Sequence, residues 1–320
     1  MADTQLTPEE LRQIRILSDP VLWAEHYLRN PENPEEPMRV RWYQKKILRY
    51  KGRRRVLRMG RRVGKSVTMI SDMLYKCFTK SNTECVLICP AENQIKERWD
   101  DMEKIARSSP IVDASIQSFT KQPFAIKFGN GSKITGYTAG VRSGSKAMTL
   151  RGVGGTDIYL DECDYLDDDS LNAIMPLYVT RKDTSLMVSS TPSGKRSWFF
   201  MWCTNKDLGW EEFYHPSSHS PAWLSIKDCK AKGLPLAEST EFQCRSICTP
   251  DQYDREYDAN FGEESDGVFK HGHINECIHR YKYSDLKVDP DNKYVLGVDW
   301  NGSATGTQIV MLEFITEPAT

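Results

Sequence analysis

Seven residues with the sequence GRRVGKS, at positions 60–66, have the types and spacing of a phosphate-binding loop. In such a loop, backbone N–H groups and the positive end of the following helix cradle phosphate oxygens. Lys65 is then expected to reach the β- and γ-phosphates, and the hydroxyl of Ser66 to bind Mg²⁺. The usual first glycine of the eight-residue pattern is replaced by Met59, so an arginine-rich surface turn is the alternative. The predicted nucleotide-binding residues of the loop are Gly60, Arg61, Arg62, Val63, Gly64, Lys65 and Ser66.

An acidic pair follows an apolar strand about a hundred residues later. The strand ends in Asp161, which is expected to hold the Mg²⁺ shell, and in Glu162, which is expected to orient and deprotonate the attacking water. The alternative is an acidic helix N-terminus in the run DECDYLDDD at 161–169, but that interpretation does not explain the apolar strand. The two motifs in this order predict an ATPase that uses ATP and Mg²⁺.

A third group of polar residues ends another apolar run, at 186–189. Ser190 and Thr191 on a neighbouring strand are placed to sense the γ-phosphate by hydrogen bonding. Their hydroxyls could equally cap a turn before Pro192. From the residues alone, the two interpretations are equally supported.

The elements that position these motifs alternate between short apolar runs and helical periods. Strands are predicted at 55–59, 84–89, 124–128, 133–137, 156–160 and 185–189, and helices at 6–29, 42–50, from 65 onward and at 92–107. This alternation indicates βαβ units and an α/β fold with a mostly parallel sheet. Short polar helices follow residue 198, and two more strands are predicted at 294–298 and 307–314.

Composition and charge limit the class of protein. The chain has 320 residues, which corresponds to roughly two domains. Its net charge of −1 argues against nucleic-acid coating by overall charge, but residues 38–71 contain no acid and a dense block of Lys and Arg that suits a polyanion. The acidic start and the lack of a long apolar run predict a protein inside a cell with no membrane partner.

The nine cysteines are predicted to be free thiols in a reducing compartment, because their number is odd and they occur singly. Cysteines at 229, 244 and 248 precede a His- and Cys-containing stretch at 271–279, but the spacing matches no common zinc pattern.

Taken together, these motifs resemble the large terminase subunit of tailed double-stranded DNA viruses, the motor that packages the genome into a procapsid. The resemblance runs from about residue 41 to the C-terminus. It rests on Tyr43-Gln44, the loop at 60–66, Leu150-Arg151-Gly152, Asp161-Glu162, Ser190-Thr191-Pro192, Phe261 with Asp266-Gly267-Val268-Phe269, and Gly297-Val298-Asp299.

The resemblance implies roles for individual residues. Gln44 would contact adenine, Arg61 would be the arginine of the family's variant loop, and Arg62 is a less secure match. Arg151 matches a position that can supply an arginine finger, in cis or across a ring of subunits, and Ser190 with Thr191 match the coupling motif. Asp299 matches the first metal-binding aspartate of a ribonuclease H-like nuclease, which uses Mg²⁺ or Mn²⁺. The other nuclease carboxylates are not assigned, so we expect no endonuclease activity from this chain.

The resemblance also implies an α/β P-loop NTPase fold of the ASCE, RecA-like type with a small helical lid. The expected domains are an N-terminal helical segment at 1–40, an ATPase core at 41–200, a lid at 201–262, a linker at 263–293 and the first strands of a nuclease domain at 294–320. The implied partners are double-stranded DNA, a portal protein, a small terminase subunit and further copies of the chain in a ring, in the host cytoplasm and transiently on the procapsid.

Two alternatives remain at this point. A superfamily 2 helicase or translocase shares the Gln, loop and Asp-Glu elements, but it carries a second recombinase-like domain, and no second alternating set follows residue 200. A non-motor DNA-binding assembly protein would keep the motifs without hydrolysing ATP.

Overall fold

The computed structural model describes residues 6–139, 155–180, 183–193, 197–262, 293–299 and 308–314. The chain divides into two compact units, Met1–Val268 and Phe269–Thr320. In the described ranges, none of the helices has the length and apolar character that a bilayer span requires.

The first unit alternates helices and strands. Its helices are α1 Pro8–Ser18, α2 Pro20–Tyr27, α3 Trp42–Arg49, α4 Lys65–Thr79, α5 Glu92–Arg107, α6 Pro110–Ser115, α7 Asp168–Thr180, α8 Trp198–Thr204, α9 Ile226–Lys232, α10 Thr240–Ile247 and α11 Pro250–Glu256. Its strands are β1 Arg54–Met59, β2 Glu84–Cys89, β3 Ile116–Lys121, β4 Phe124–Phe128, β5 Lys133–Thr138, β6 Asp157–Leu160, β7 Ser185–Ser190 and β8 Glu211–His215. In the second unit, β9 Lys293–Asp299 pairs antiparallel with β10 Gln308–Phe314.

The eight strands of the first unit form one sheet in the order β3-β4-β5-β2-β6-β7-β1-β8. In this order, each strand from β5 through β2, β6, β7 and β1 to β8 runs parallel to its neighbour. Strand β4 runs antiparallel to β3 and β5. The predicted α/β fold with a mostly parallel sheet is therefore confirmed. Because parallel strands end at the same edge, the residues that follow β1, β6 and β7 lie close together.

Side chains of successive strand residues point to opposite faces of the sheet. In β6, Ile158 and Leu160 belong to the hydrophobic core beneath α7 and α8, whereas Tyr159 belongs to the core beneath α4 and α5. The same alternation continues past the strand end, so Asp161 shares a face with Tyr159. This register places Asp161 on the side of the sheet that α5 covers.

The predicted helix over 6–29 is wrong as a single element, since it breaks at Asp19. The carboxylate of Asp19 accepts hydrogen bonds from the backbone N–H groups of Val21 and Leu22 at 2.8 and 3.1 Å. Pro20 occupies the first turn of α2, where its missing N–H costs nothing. An N-cap aspartate followed by proline begins a new helix.

Two strands of the sheet, β3 and β8, were not predicted from the sequence. β8 has the sequence EEFYH and pairs in parallel with β1 at the sheet edge. An edge strand keeps a solvated side, so it lacks the continuous apolar run that marks the central strands.

Candidate active site

The loop at 60–66 connects β1 to α4, and Lys65 is the first residue of that helix. Gly64 has a φ of 90°, in the left-handed region that favours glycine. Arg62 also has a positive φ, of 59°, which a non-glycine residue adopts only at a cost. The Lys65 side chain is almost buried and donates a hydrogen bond to the carbonyl oxygen of Met59 at 3.1 Å. The loop is therefore held in a defined shape with its lysine folded back over it.

Helix α3 holds this loop through hydrogen bonds to the loop's backbone carbonyl groups. The hydroxyl of Tyr43 donates to the carbonyl oxygen of Val63 at 2.8 Å. The amide nitrogen of Gln44 donates to the carbonyl oxygen of Gly64 at 3.3 Å and to the hydroxyl of Thr68 at 3.0 Å. In this structure Gln44 thus fixes the loop and the first turn of α4, and it also borders a cavity of about 510 Å³. Its contact with adenine stays a prediction.

The segment after β8 and the end of α11 contact the first two residues of the loop. The backbone N–H of Arg61 donates to the carbonyl oxygen of Glu256 at 2.9 Å, and the hydroxyl of Ser217 donates to the carbonyl oxygen of Arg61 at 2.8 Å. A Cβ atom at Gly60 would lie 2.4 Å from the carbonyl oxygen of Tyr257. Only glycine allows this approach, so the loop and the residues that follow α11 fit backbone against backbone.

The guanidinium of Arg61 pairs with the carboxylate of Glu256, with 2.6 Å between Nε and Oε2. Arg61 also borders the cavity that contains Lys65 and Glu162. Arg61 therefore lies in the loop, as its place in the sequence predicts, but its side chain is directed to the end of α11. Its action on a phosphate stays a prediction.

This pair suggests a direct test. The change Glu256→Gln removes a negative charge beside the cavity and releases the Arg61 guanidinium. It is therefore expected to raise the affinity for ADP about fivefold. This factor corresponds to a binding free energy of about 1 kcal/mol, the size of the interaction expected for a partly exposed ion pair. Titration with a fluorescent methylanthraniloyl-ADP (MANT-ADP) measures this affinity. The control is Glu103→Gln, whose partners Arg107 and Lys121 lie outside the cavity. An unchanged or lower affinity in Glu256→Gln would show that Arg61 is not held away from the nucleotide.

The acidic pair lies at the end of β6, opposite the loop. The two carboxylate oxygens of Asp161 accept from the hydroxyl of Ser189 at 2.6 Å and from Nε of Arg98 at 2.9 Å. Glu162 has a φ of 50°, which turns its side chain toward the loop. Its Oε1 lies 3.8 Å from Nζ of Lys65, and the hydroxyl of Ser190 donates to its Oε2 at 3.3 Å. The structure thus brings Lys65, Glu162 and Ser190 together.

Burial raises the pKa of the Glu162 carboxyl, and the charge of Asp161 adds to this shift while Lys65 opposes it. A carboxylate with a raised pKa accepts a proton more readily than an exposed one does. The environment of Glu162 therefore suits the role of a general base.

The loop and Glu162 face a cavity of about 640 Å³. It is lined by Gly60, Arg61, Arg62, Val63, Gly64, Lys65, Ser66, Val67, Arg98, Asp101, Glu162, Trp223, Thr240, Gln243, Cys244, Ile247 and Tyr257. Thr191 borders an adjoining cavity of about 450 Å³ with Lys65 and Glu162. Most of the predicted site residues therefore surround one space.

Two predicted site residues are not part of this arrangement. Arg151 lies outside the described residues, as do the predicted linker motif at 266–269 and the histidines of 271–279. Asp299 ends β9 in the second unit, where its backbone pairs with that of Gln308 and its side chain is not described.

The oxygen donors of the site fit Mg²⁺. The hydroxyl of Ser66 and the carboxylate of Asp161 are the ligand types that Mg²⁺ takes when phosphates and water supply the rest. Within the ranges given above, no group of three or more His, Cys, Asp and Glu side chains is arranged to hold a metal ion. Eight of the nine cysteines are described and all eight are free thiols, as predicted.

Sequence reasoning missed Arg98 and Glu256. Each belongs to a helix with many charged residues, and each contacts the site through a distant pairing, over 63 residues for Arg98 and 195 for Glu256. No local pattern marks either residue.

The chain also matches the model of a known protein family. The family model "Terminase large subunit, T4likevirus-type, N-terminal" matches residues 56–276. Comparison with curated protein sequences gives no significant match.

Solved structures support the same fold. The Thermus phage P74-26 large terminase ATPase domain is 19% identical with a TM-score of 0.54, over 71% of this chain and 94% of that one. The HK97 bacteriophage large terminase is 14% identical with a TM-score of 0.61, over 93% of this chain and 67% of that one. The large terminase of a thermophilic bacteriophage in complex with ATP-gamma-S is 14% identical with a TM-score of 0.51, over 85% of this chain and 64% of that one. The chain thus spans about two thirds of the two longer proteins.

Proposed function

The chain belongs to the T4-like family of terminase large subunits and is an ATPase of a viral DNA-packaging motor, and we propose that Lys65 and Glu162 perform its hydrolysis step. The observation that carries this assignment is the 3.8 Å approach of Lys65 Nζ to Glu162 Oε1 at one cavity. A cation that binds phosphate oxygens and a carboxylate that can orient and deprotonate a water are two groups that hydrolysis of a γ-phosphate uses, and here both line one cavity.

In this proposal the loop backbone and Lys65 bind the phosphates. Ser66 and Asp161 would hold Mg²⁺, which would neutralise charge on the phosphate oxygens when bound. Glu162 accepts a hydrogen bond from the attacking water and takes its proton as the water oxygen approaches the γ-phosphorus. The γ-phosphate leaves as inorganic phosphate, and ADP remains on the loop.

A change in the position or charge of Glu162 can be transmitted to the proposed lid through contacts at the end of β7. Ser190 contacts Glu162, and three residues later the carbonyl oxygen of Ser193 accepts from the Arg255 guanidinium at 2.5 Å. The next residue, Glu256, pairs with Arg61 of the loop. Helix α11 therefore contacts the loop and the segment after β7, so a change at either one can move the lid.

The finer parts of the function also belong to the proposal. The DNA contacts are directed to phosphates, because a packaging motor moves DNA of any sequence. The portal protein, a small terminase subunit and a ring of identical subunits are the proposed partners, on the procapsid in the host cytoplasm, and Arg151 is the proposed arginine finger. The proposed domains are the five whose bounds the resemblance implies. The last of them, at 294–320, would be the beginning of a nuclease domain, with Asp299 as its first metal ligand.

Turnover of ATP in the presence and absence of linear double-stranded DNA tests this function. We expect hydrolysis that requires Mg²⁺ and increases several-fold with the duplex, with no strand separation. DNA retained on a filter without any ATP turnover would favour the assembly protein, and displacement of a labelled strand would favour the helicase.

A further inference from the structure

Arg98 connects α5 to the acidic pair. Its Nε lies 2.9 Å from Oδ2 of Asp161, and its Nη1 lies 2.9 Å from Oδ2 of Asp101. The Asp161 side chain is only 2% exposed, whereas that of Arg98 is 21% exposed and lines the cavity of about 640 Å³. The guanidinium therefore covers the cavity side of an otherwise buried carboxylate.

Both oxygens of Asp161 already have partners. The hydroxyl of Ser189 donates to Oδ1 at 2.6 Å from a fully buried position in the sheet. A cation that enters from the cavity cannot reach that side of the carboxylate, but it can reach Oδ2 by displacing Arg98. A guanidinium and a divalent cation both seek the same carboxylate lone pairs, so they compete for this oxygen.

The lysine of the loop does not have this role. Lys65 donates to the carbonyl oxygen of Met59 and faces Glu162, and no contact joins it to Asp161 among the described residues. Arg98 can also leave Asp161 without losing every partner, because Asp101 stays beside its Nη1 on the same helix.

We propose that Arg98 is a positioning residue that holds Asp161 for the metal and competes with Mg²⁺ for its Oδ2, thereby setting the Mg²⁺ concentration at which nucleotide binds. This inference rests on the proposed function of the same site. In the absence of Mg²⁺, the ion pair keeps the Asp161 side chain oriented. On Mg²⁺ binding, the guanidinium yields this oxygen and remains at the cavity wall beside Asp101.

The test measures binding of MANT-ADP over a range of Mg²⁺ concentrations and in EDTA. Loss of one charge-assisted hydrogen bond that competes with the metal is expected to lower the half-saturating Mg²⁺ concentration about tenfold in Arg98→Met. Affinity in EDTA should change little, since Arg98 is directed to Asp161. Arg98→Lys keeps a competing cation and should stay close to the wild type.

The matched control is Arg107→Met, on the same helix, whose partners Glu103 and Asp113 lie outside the cavity. It should leave the Mg²⁺ dependence unchanged. If Arg98→Met does not fold, as judged by circular dichroism, the smaller polar change Arg98→Gln is expected to shift the Mg²⁺ dependence in the same direction.

An unchanged or higher Mg²⁺ requirement in a folded Arg98 variant would overturn the inference while leaving the proposed ATPase intact. A wild-type protein that binds no MANT-ADP at any Mg²⁺ concentration would instead overturn the proposed function, and the inference with it. The two failures are therefore distinguishable.

Discussion

The change Glu162→Gln is expected to lower the turnover of ATP by about 10²- to 10⁴-fold and to leave nucleotide affinity nearly unchanged. Glutamine keeps the size of the side chain and can still accept the hydrogen bond that Ser190 donates. It cannot take a proton from the attacking water. Single-turnover hydrolysis and MANT-ADP titration of the same preparation separate these two effects.

The pH dependence of turnover gives a second readout for the same residue. Glu162 must be ionised to act as a base, and burial raises the pKa of its carboxyl. Activity is therefore expected to fall on the acid side at a higher pH than the ordinary glutamate pKa of about 4.3 would give. This acid limb should be absent from the residual activity of Glu162→Gln.

The exposed Glu97 borders the adjoining cavity next to Arg98 and provides a control. Glu97→Gln removes the same charge without removing the base, so its turnover should stay within a few-fold of the wild type. Loss of nucleotide binding in Glu162→Gln, or equal losses of turnover in both variants, would contradict the assignment of Glu162 as the base.

The central part of the fold could be predicted because its strands are buried on both faces. The runs that form β2 and β6 are nearly continuous apolar sequences that end in a turn residue or an acid. Their order along the chain fixes a parallel sheet, and a parallel sheet brings its carboxyl ends together. The proximity of the loop and Glu162 therefore follows from the sequence.

The contacts between the loop and the end of α11 could not be predicted, for a physical reason. The approach of Tyr257 to Gly60 and the bond from Arg61 to Glu256 use backbone carbonyl groups, which every residue carries. Apart from the glycine at position 60, such contacts leave no pattern of residue types. The split at Asp19 is different, because an N-cap aspartate before a proline is a recognisable helix start.

Arg98 illustrates a third case. The sequence shows an arginine in a charged helix, for which a solvated position is the ordinary expectation. Only the alternation of β6 shows that Asp161 faces α5, and only the length of that helix brings Arg98 to the carboxylate. The pairing depends on tertiary register, which local pattern does not specify.

A buried network of charges joins the loop helix α4 to the sheet. Oδ2 of Asp72 lies 2.8 Å from Nη2 of Arg55 and 2.9 Å from Nζ of Lys76, and the hydroxyl of Tyr159 donates to it at 2.7 Å. Lys76 also pairs with Asp157 at 2.7 Å. Asp72 thus pairs with one cation from β1 and one from α4, and Lys76 has a second carboxylate partner in Asp157.

The change Asp72→Ala is therefore expected to lower the free energy of unfolding by about 3–5 kcal/mol, because it leaves the buried Arg55 without its carboxylate partner and Lys76 with Asp157 alone. Asp113→Ala, which breaks the exposed pair with Arg107, should cost about 1 kcal/mol or less. Urea unfolding followed by circular dichroism measures both values. A cost for Asp72→Ala as small as that for Asp113→Ala would mean that the network does not contribute to stability.

The same network predicts a sign for the pH dependence. Burial alone would raise the pKa of Asp72, but Arg55 and Lys76 outweigh it and hold this pKa below the usual aspartate range. A carboxyl with a lowered pKa stabilises the fold above its unfolded pKa of about 3.9, and this contribution is lost as the pH falls toward the folded value. The stability difference between the wild type and Asp72→Ala should therefore be constant near neutral pH and shrink below about pH 4. A difference that stayed constant down to about pH 3 would show that Asp72 stabilises the core by packing and not by its charge.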